Sequence, residues 1–314
     1  MNPFAMPHVA ARIFDTPLFI DERKAAAILR AVGSRIAPGG IVLDGVDPVD
    51  HVAFAAGRPS AGRVGDPLGR SIEQAGQGGR ILPLVVDGVA VIPIEGTLVH
   101  KGKWLGMSSG ETSYEGIQSR VQRARRDSSI RGVVLEVDSF GGEVSGAFDT
   151  AQMIAELAAE KPTLAILTDY ALSAGYLMAS AARQIVIPES GYAGSIGVIT
   201  LHVDHSAMLK SAGVKVTLLY SGAHKADGNP FESLPAAVAK KIQGDLDRLR
   251  DGFAAAVGAR RGRRFDKARA LATEAQDYLA PEARALGLVD AIGRPSEAFD
   301  AFVRAVNRAG PALI

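Results

Sequence analysis

The chain has 314 residues, 47% hydrophobic and 22% charged, with a net charge of +1 and no cysteine. That composition suits one large globular domain or two modest ones, and its near-neutral balance offers no general field for nucleic acid or acidic lipid. The lack of cysteine removes a thiol nucleophile, a thiolate metal site and any disulfide, and fits a reducing compartment.

Residues 1–12 lack a charged start followed by an apolar core, so they do not read as a signal peptide. The longest apolar stretch, Ile81 to Ile94, is broken by Asp87 and Gly88 and falls short of the roughly 20 residues a spanning helix needs. A cytoplasmic protein with neither a membrane nor a nucleic-acid partner is expected.

Residues 17–36 predict a helix with Asp21 as N-cap, ended by Pro38-Gly39-Gly40. Gly57 to Gly79 is rich in Gly, Arg and Ser and reads as a surface loop, which makes residues 1–80 an N-terminal extension and linker before a domain over 81–314. From there strands alternate with helices. Strands are expected at Val89–Ile94, Gly132–Val137, Thr163–Thr168, Gln184–Ile187, Gly197–His202 and Lys215–Tyr220, with a last one at Gly287–Val289. Helices are expected at Ser113–Arg126, Gly146–Ala159, Gly175–Arg183, Pro235–Ala259 and Pro281–Leu286. Short apolar strands separated by helices define parallel βαβ units, hence an α/β fold. The basic clusters around Arg120–Arg126 and Arg260–Arg264 fall late in helices, where cations complement the macrodipole.

Three glycine-punctuated junctions follow strands. In Asp138-Ser139-Phe140-Gly141-Gly142 the paired glycines permit positive φ and exposed N–H groups, although taken alone a tight turn is the simpler explanation. In Leu172-Ser173-Ala174-Gly175-Tyr176 a serine stands at a strand-to-helix turn, the place of a nucleophile elbow, but also that of an ordinary N-cap. The third region holds Gly194-Ser195-Ile196-Gly197 and then Lys225-Ala226-Asp227-Gly228 in a glycine-rich loop. Lysine serves as a base only when neutral, which burial favours; most loop lysines are simply solvated.

Together these segments, in order and spacing, resemble the S49 peptidases, the signal peptide peptidase family, and above all their phage head-maturation branch. The resemblance runs from about Val85 to Ile292 and also takes in Thr112-Ser113-Tyr114-Glu115-Gly116-Ile117, Asn229-Pro230 and Glu282 to Asp290. It implies a Clp protease/crotonase-like fold and a serine endopeptidase with a Ser–Lys dyad. By the resemblance, Ser173 is the nucleophile, Lys225 the base and Ser195 the hydroxyl that orients the lysine. The N–H groups of Gly142 and Ala174 would form the oxyanion hole. No metal or organic cofactor is implied. The substrates would be proteins or peptides, capsid or scaffold proteins among them. The matching serine-to-lysine spacing implies a homo-oligomeric ring in which neighbouring subunits share the dyad. Phe140 stands where relatives usually carry proline, and a membrane anchor like that of the bacterial members is not expected.

Three rival readings remain at this level. They are a Ser–His–Asp triad drawn from His202, His205 or His224, a crotonase-like acyl-CoA enzyme, and an inactive scaffold that keeps the fold. The stripe Ala239, Ile242, Leu246, Leu249 and Phe253 on the long helix suits either its own core or a subunit contact.

Overall fold

A computed structural model describes residues 16–20, 84–101 and 111–308; the expected helix after Asp21 and the 57–79 loop lie outside them. In chain order the elements are β1 (Leu18–Ile20), β2 (Leu84–Val86), β3 (Val89–Val99), β4 (Glu111–Ser113), α1 (Tyr114–Arg126), β5 (Gly132–Glu143), α2 (Ala147–Glu160) and β6 (Thr163–Leu172). They continue with α3 (Ala174–Ala179), β7 (Gln184–Ile187), β8 (Tyr192–Gly194), α4 (Ser206–Ser211), α5 (Ala236–Arg261), α6 (Lys267–Ala272) and β9 (Asp277–Leu279). The last three are α7 (Ala280–Leu286), β10 (Ala291–Ile292) and α8 (Pro295–Arg308).

The central sheet runs β10-β7-β6-β5-β3-β2, parallel except where β2 turns back on β3. Runs such as Val133-Val134-Leu135 are buried on both faces, as parallel strands covered by helices require. One face packs under α1, α2 and α3; the other carries Phe299 and Val306 of α8 against Val134 and Ile166. Ser113 caps α1 by accepting from the Gly116 N–H at 3.2 Å, and Lys161 Nζ closes its far end on the carbonyls of Ala124, Asp127 and Ile130.

The expected α/β alternation holds as far as Gly194, with β3, β5 and β6 each running longer than their apolar cores. Two expected strands are corrected. Gly197–His202 is not a strand: its Ile199 makes one isolated bridge, to Leu18. Lys215–Tyr220 has no pairing partner among the described residues and is exposed almost throughout. Alternating apolar residues there form an arm rather than a half-buried strand, and from Gly197 to Gly252 no residue is buried. The small closing strand also shifts, from Gly287–Val289 to Ala291–Ile292, because Gly287 takes φ 90° to end α7.

The basic cluster at the end of α5 does more than answer a helix dipole. Arg261 is buried and forks onto Asp290 at 2.8 and 3.0 Å, while Asp290 also accepts from the Ile185 N–H and from Arg264. Burial alone would push the Asp290 carboxyl up. The hydrogen bonds and charge of Arg261, with Ile185 and Arg264, outweigh it and hold the group below the usual carboxylate range.

Candidate active site

β6 ends at Leu172 and α3 starts at Ala174, so Ser173 alone makes the turn between sheet and helix. It does so at φ 52°, ψ −120°, a left-handed conformation that a residue with a Cβ rarely adopts. The capping explanation fails, because its side chain makes no capping hydrogen bond. Ser173 is fully buried, and Oγ has no hydrogen-bond partner among the described residues. A buried hydroxyl left unsatisfied costs about 1–3 kcal/mol, and a strained φ costs a similar amount. Two such costs on one serine make Ser173 the candidate nucleophile.

The surrounding backbone holds it in place. The Ser173 N–H donates to the Gly194 carbonyl at 2.9 Å, and Leu172 is in register with Gly194 across β6 and β8. Ser195 therefore follows beside Ser173. It too has a positive φ, 55°, and is buried, with its N–H fixed on the Gln276 carbonyl at 2.9 Å. Ser139 Oγ donates to the Gly96 carbonyl at 2.6 Å and accepts from the Gly141 N–H at 3.1 Å, which sets the glycine pair. A Cβ on Gly142 would land on the Leu98 carbonyl oxygen, so only glycine fits between β3 and the site. Phe140, in the usual proline position, stacks on Tyr170 at 4.4 Å, and Tyr170 on Tyr192 at 5.8 Å.

Gly175 serves the fold rather than an incoming chain. A Cβ there would lie 2.8 Å from the Ser139 carbonyl oxygen, so the missing side chain lets α3 sit down on β5. Tyr176 is buried and donates its hydroxyl to the Leu288 carbonyl at 2.8 Å; burial pushes that hydroxyl well above the usual phenol range. The serine-bearing turn is thus tied to the C-terminal part of the chain.

Gly142, Ser173, Ala174 and Ser195 come together; Lys225 does not join them. It is exposed, on a loop closed by its own turns, including Asn229 Nδ2 to the Ala226 carbonyl at 2.9 Å. Among the described residues its ammonium makes no hydrogen bond or ion pair. His224 pairs with Asp227 at 2.9 Å on the same exposed loop, and no described histidine hydrogen-bonds Ser173 Oγ, which leaves the triad reading without a base. Among the described residues no group of three or more His, Asp or Glu is placed to hold a metal. No described helix is long and apolar enough to cross a membrane.

The geometry defines a parallel α/β protein with a strained serine at a strand-to-helix turn beside a glycine-lined strand. Residues 155–307 match the family model of Peptidase family S49, the family that the sequence resembles. The chain is 36% identical over 304 residues to the head-tail preconnector protein GP5 of Enterobacteria phage P21, covering 96% of this chain and 58% of that one. It is 35% identical over 295 residues to the capsid assembly protease C of Escherichia phage lambda, covering 93% of this chain and 64% of that one. The chain therefore spans less than two thirds of the length of these relatives. Among solved structures, ClpP1 of Listeria monocytogenes aligns with a TM-score of 0.41 at 11% identity, over 68% of this chain and 95% of that one.

Proposed function

We propose that the chain is a serine endopeptidase of the S49 type, with residues 81–314 as its protease domain. The observation that carries this is Ser173: strained, buried, without a hydrogen-bond partner among the described residues, and seated beside a glycine-lined strand. Ser173 Oγ adds to a substrate carbonyl carbon as its proton passes to the neutral amine of Lys225. The N–H groups of Gly142 and Ala174 hold the oxyanion, each donor contributing about 2.7–4 kcal/mol to the transition state. The C–N bond then breaks, the lysine returns the proton to the leaving amine, and water releases the acyl group to restore the serine. Ser195 orients the lysine.

Lys225 lies on the exposed arm, so the base comes from a neighbouring copy in a closed ring. Exposed Val214, Val216, Leu219, Tyr220 and Phe231 support this reading, because an exposed apolar arm gains from a surface to bury against. Docking would also take the lysine out of water, which favours the neutral base. The name of one phage relative, a capsid assembly protease, supports a role in capsid assembly, and we take capsid proteins as the substrates. A fluorophosphonate probe tests the chemistry. Labelling at Ser173, lost in Ser173→Ala, is expected; no labelling of assembled protein would remove the protease reading and favour a scaffold or an acyl-CoA enzyme.

A further inference from the structure

β6 turns away at Leu172, so the far end of β5, Gly141–Glu143, has no β6 beside it; β1 lies there instead. It runs antiparallel, with Leu18 opposite Glu143, Phe19 opposite Gly142 and Ile20 opposite Gly141. Its other edge is also held: Leu18 N–H donates to the Ile199 carbonyl at 2.8 Å, and Ile199 N–H to the Leu18 carbonyl at 3.0 Å. A short extended segment gripped by backbone on both sides is the way a peptide is bound as an added strand. This strand passes the nucleophile. A Cβ on Gly141 would fall on the Phe19 carbonyl oxygen, and the same point lies 3.0 Å from Ser173 Cβ. With β1 in place, Ser173 has no exposed surface.

The side chains alternate as on any strand. Leu18 and Ile20 pack together with Ile199. Phe19 points the other way and is fully buried, its ring edge-on to Phe148 of α2 at 5.4 Å and tilted against Phe253 of α5 at 4.7 Å. That aromatic pocket is filled by one side chain, from a strand whose backbone passes the serine.

We infer that β1 is lodged in the enzyme's own peptide groove, with Phe19 in the pocket that reads the residue just before the scissile bond. The inference rests on the protease reading above and extends it to a substrate class: chains with a large apolar residue at that position. It also makes β1 a resident competitor that an incoming peptide must displace. A strand serving only the fold would make neither prediction.

Two measurements on the full chain decide it. In Phe19→Gly the strand loses its anchor, so fluorophosphonate labelling of Ser173 should speed up at least about tenfold. Labelling at the wild-type rate or slower, by protein that keeps its melting transition, overturns the proposal. If that variant does not fold, the wild-type protein decides through two peptide aldehydes copied from residues 16–19. Thr-Pro-Leu-Phe aldehyde should inhibit at least about tenfold better than Thr-Pro-Leu-Gly aldehyde. Equal inhibition means that the pocket is not a specificity pocket and overturns the proposal. Absence of labelling in every form is a different failure, which removes the protease reading and this inference with it.

Discussion

The two sides of the proposed dyad sit in opposite physical settings. The serine side is built into the densest part of the molecule: Ala171 to Ala182 is buried throughout, and two adjacent serines are held at positive φ. The lysine side belongs to a stretch, Gly197 to Gly252, without one buried residue. A strained conformation persists only where the surroundings over-determine it, so the nucleophile belongs in the core. A base that works only when desolvated cannot be prepared on an exposed arm; it is completed on contact. In the proposed mechanism one half of the machinery is formed by folding and the other by assembly.

The largest expected effect tests the serine half. Ser173→Ala should lower proteolysis by at least about 10⁴-fold, as removal of a nucleophile does, while the melting temperature holds or rises. Ser173→Gly should be equally inactive yet more stable by roughly 1 kcal/mol, since glycine accepts the positive φ. A stability loss in Ser173→Gly would mean that the strain is not real.

Next comes the ion pair behind the serine turn. Asp290→Ala leaves Arg261 buried without its partner and should cost about 3–5 kcal/mol in denaturant unfolding. The pH dependence follows from the depressed carboxyl. Its stabilisation is fully present above the ordinary carboxylate range near pH 4 and is lost as pH falls through the lower folded value. Acid unfolding of the wild type should therefore be steeper below about pH 4 than that of Asp290→Ala. Equal slopes would remove Asp290 as an acid-sensitive anchor.

A smaller effect is expected at Gly175. With the Ser139 carbonyl oxygen 2.8 Å from the added carbon, Gly175→Ala should cost about 1–3 kcal/mol and move Ser173 away from the glycine strand, lowering kcat. Unchanged stability would show that α3 has room that the packing denies it.

The smallest stability effect should come from the arm. Leu219 is 94% exposed, so Leu219→Asp should change monomer stability by no more than about 0.5 kcal/mol. It should nevertheless weaken self-association by size-exclusion chromatography and make activity depend more steeply on protein concentration. Normal assembly by this variant would argue that the arm faces solvent for another reason.

Much of the serine half was legible in the sequence, because buried parallel strands write themselves as apolar runs. Gln184–Ile187 is placed to the residue, and Ser173 and Gly142 stand where their glycine-marked junctions put them. Local pattern could not separate an elbow from an N-cap at Ser173; that distinction lies in φ and in an unmet hydroxyl. The arm misled for the opposite reason. Lys215–Tyr220 has the alternation of a strand, but periodicity reports a face to be buried and not whether the same chain buries it. β1 escaped notice because three apolar residues between Pro17 and Asp21 are too few for any period, and its place is set by backbone contacts with residues far along the chain. The anchoring role of Arg261 was hidden in the same way, since Asp290 is distant in sequence and the cluster around it looked like a solvated helix end.

The central claim is that folding supplies the serine and assembly supplies the lysine, and subunit mixing tests it most directly. Ser173→Ala and Lys225→Ala proteins, each inactive alone, are combined in equal amounts, exchanged, and confirmed as mixed oligomers by native mass spectrometry. In a head-to-tail ring about a quarter of the interfaces then pair an intact serine with an intact lysine, so roughly that fraction of wild-type activity should return. Mixed oligomers that stay as inactive as their parents would contradict the account.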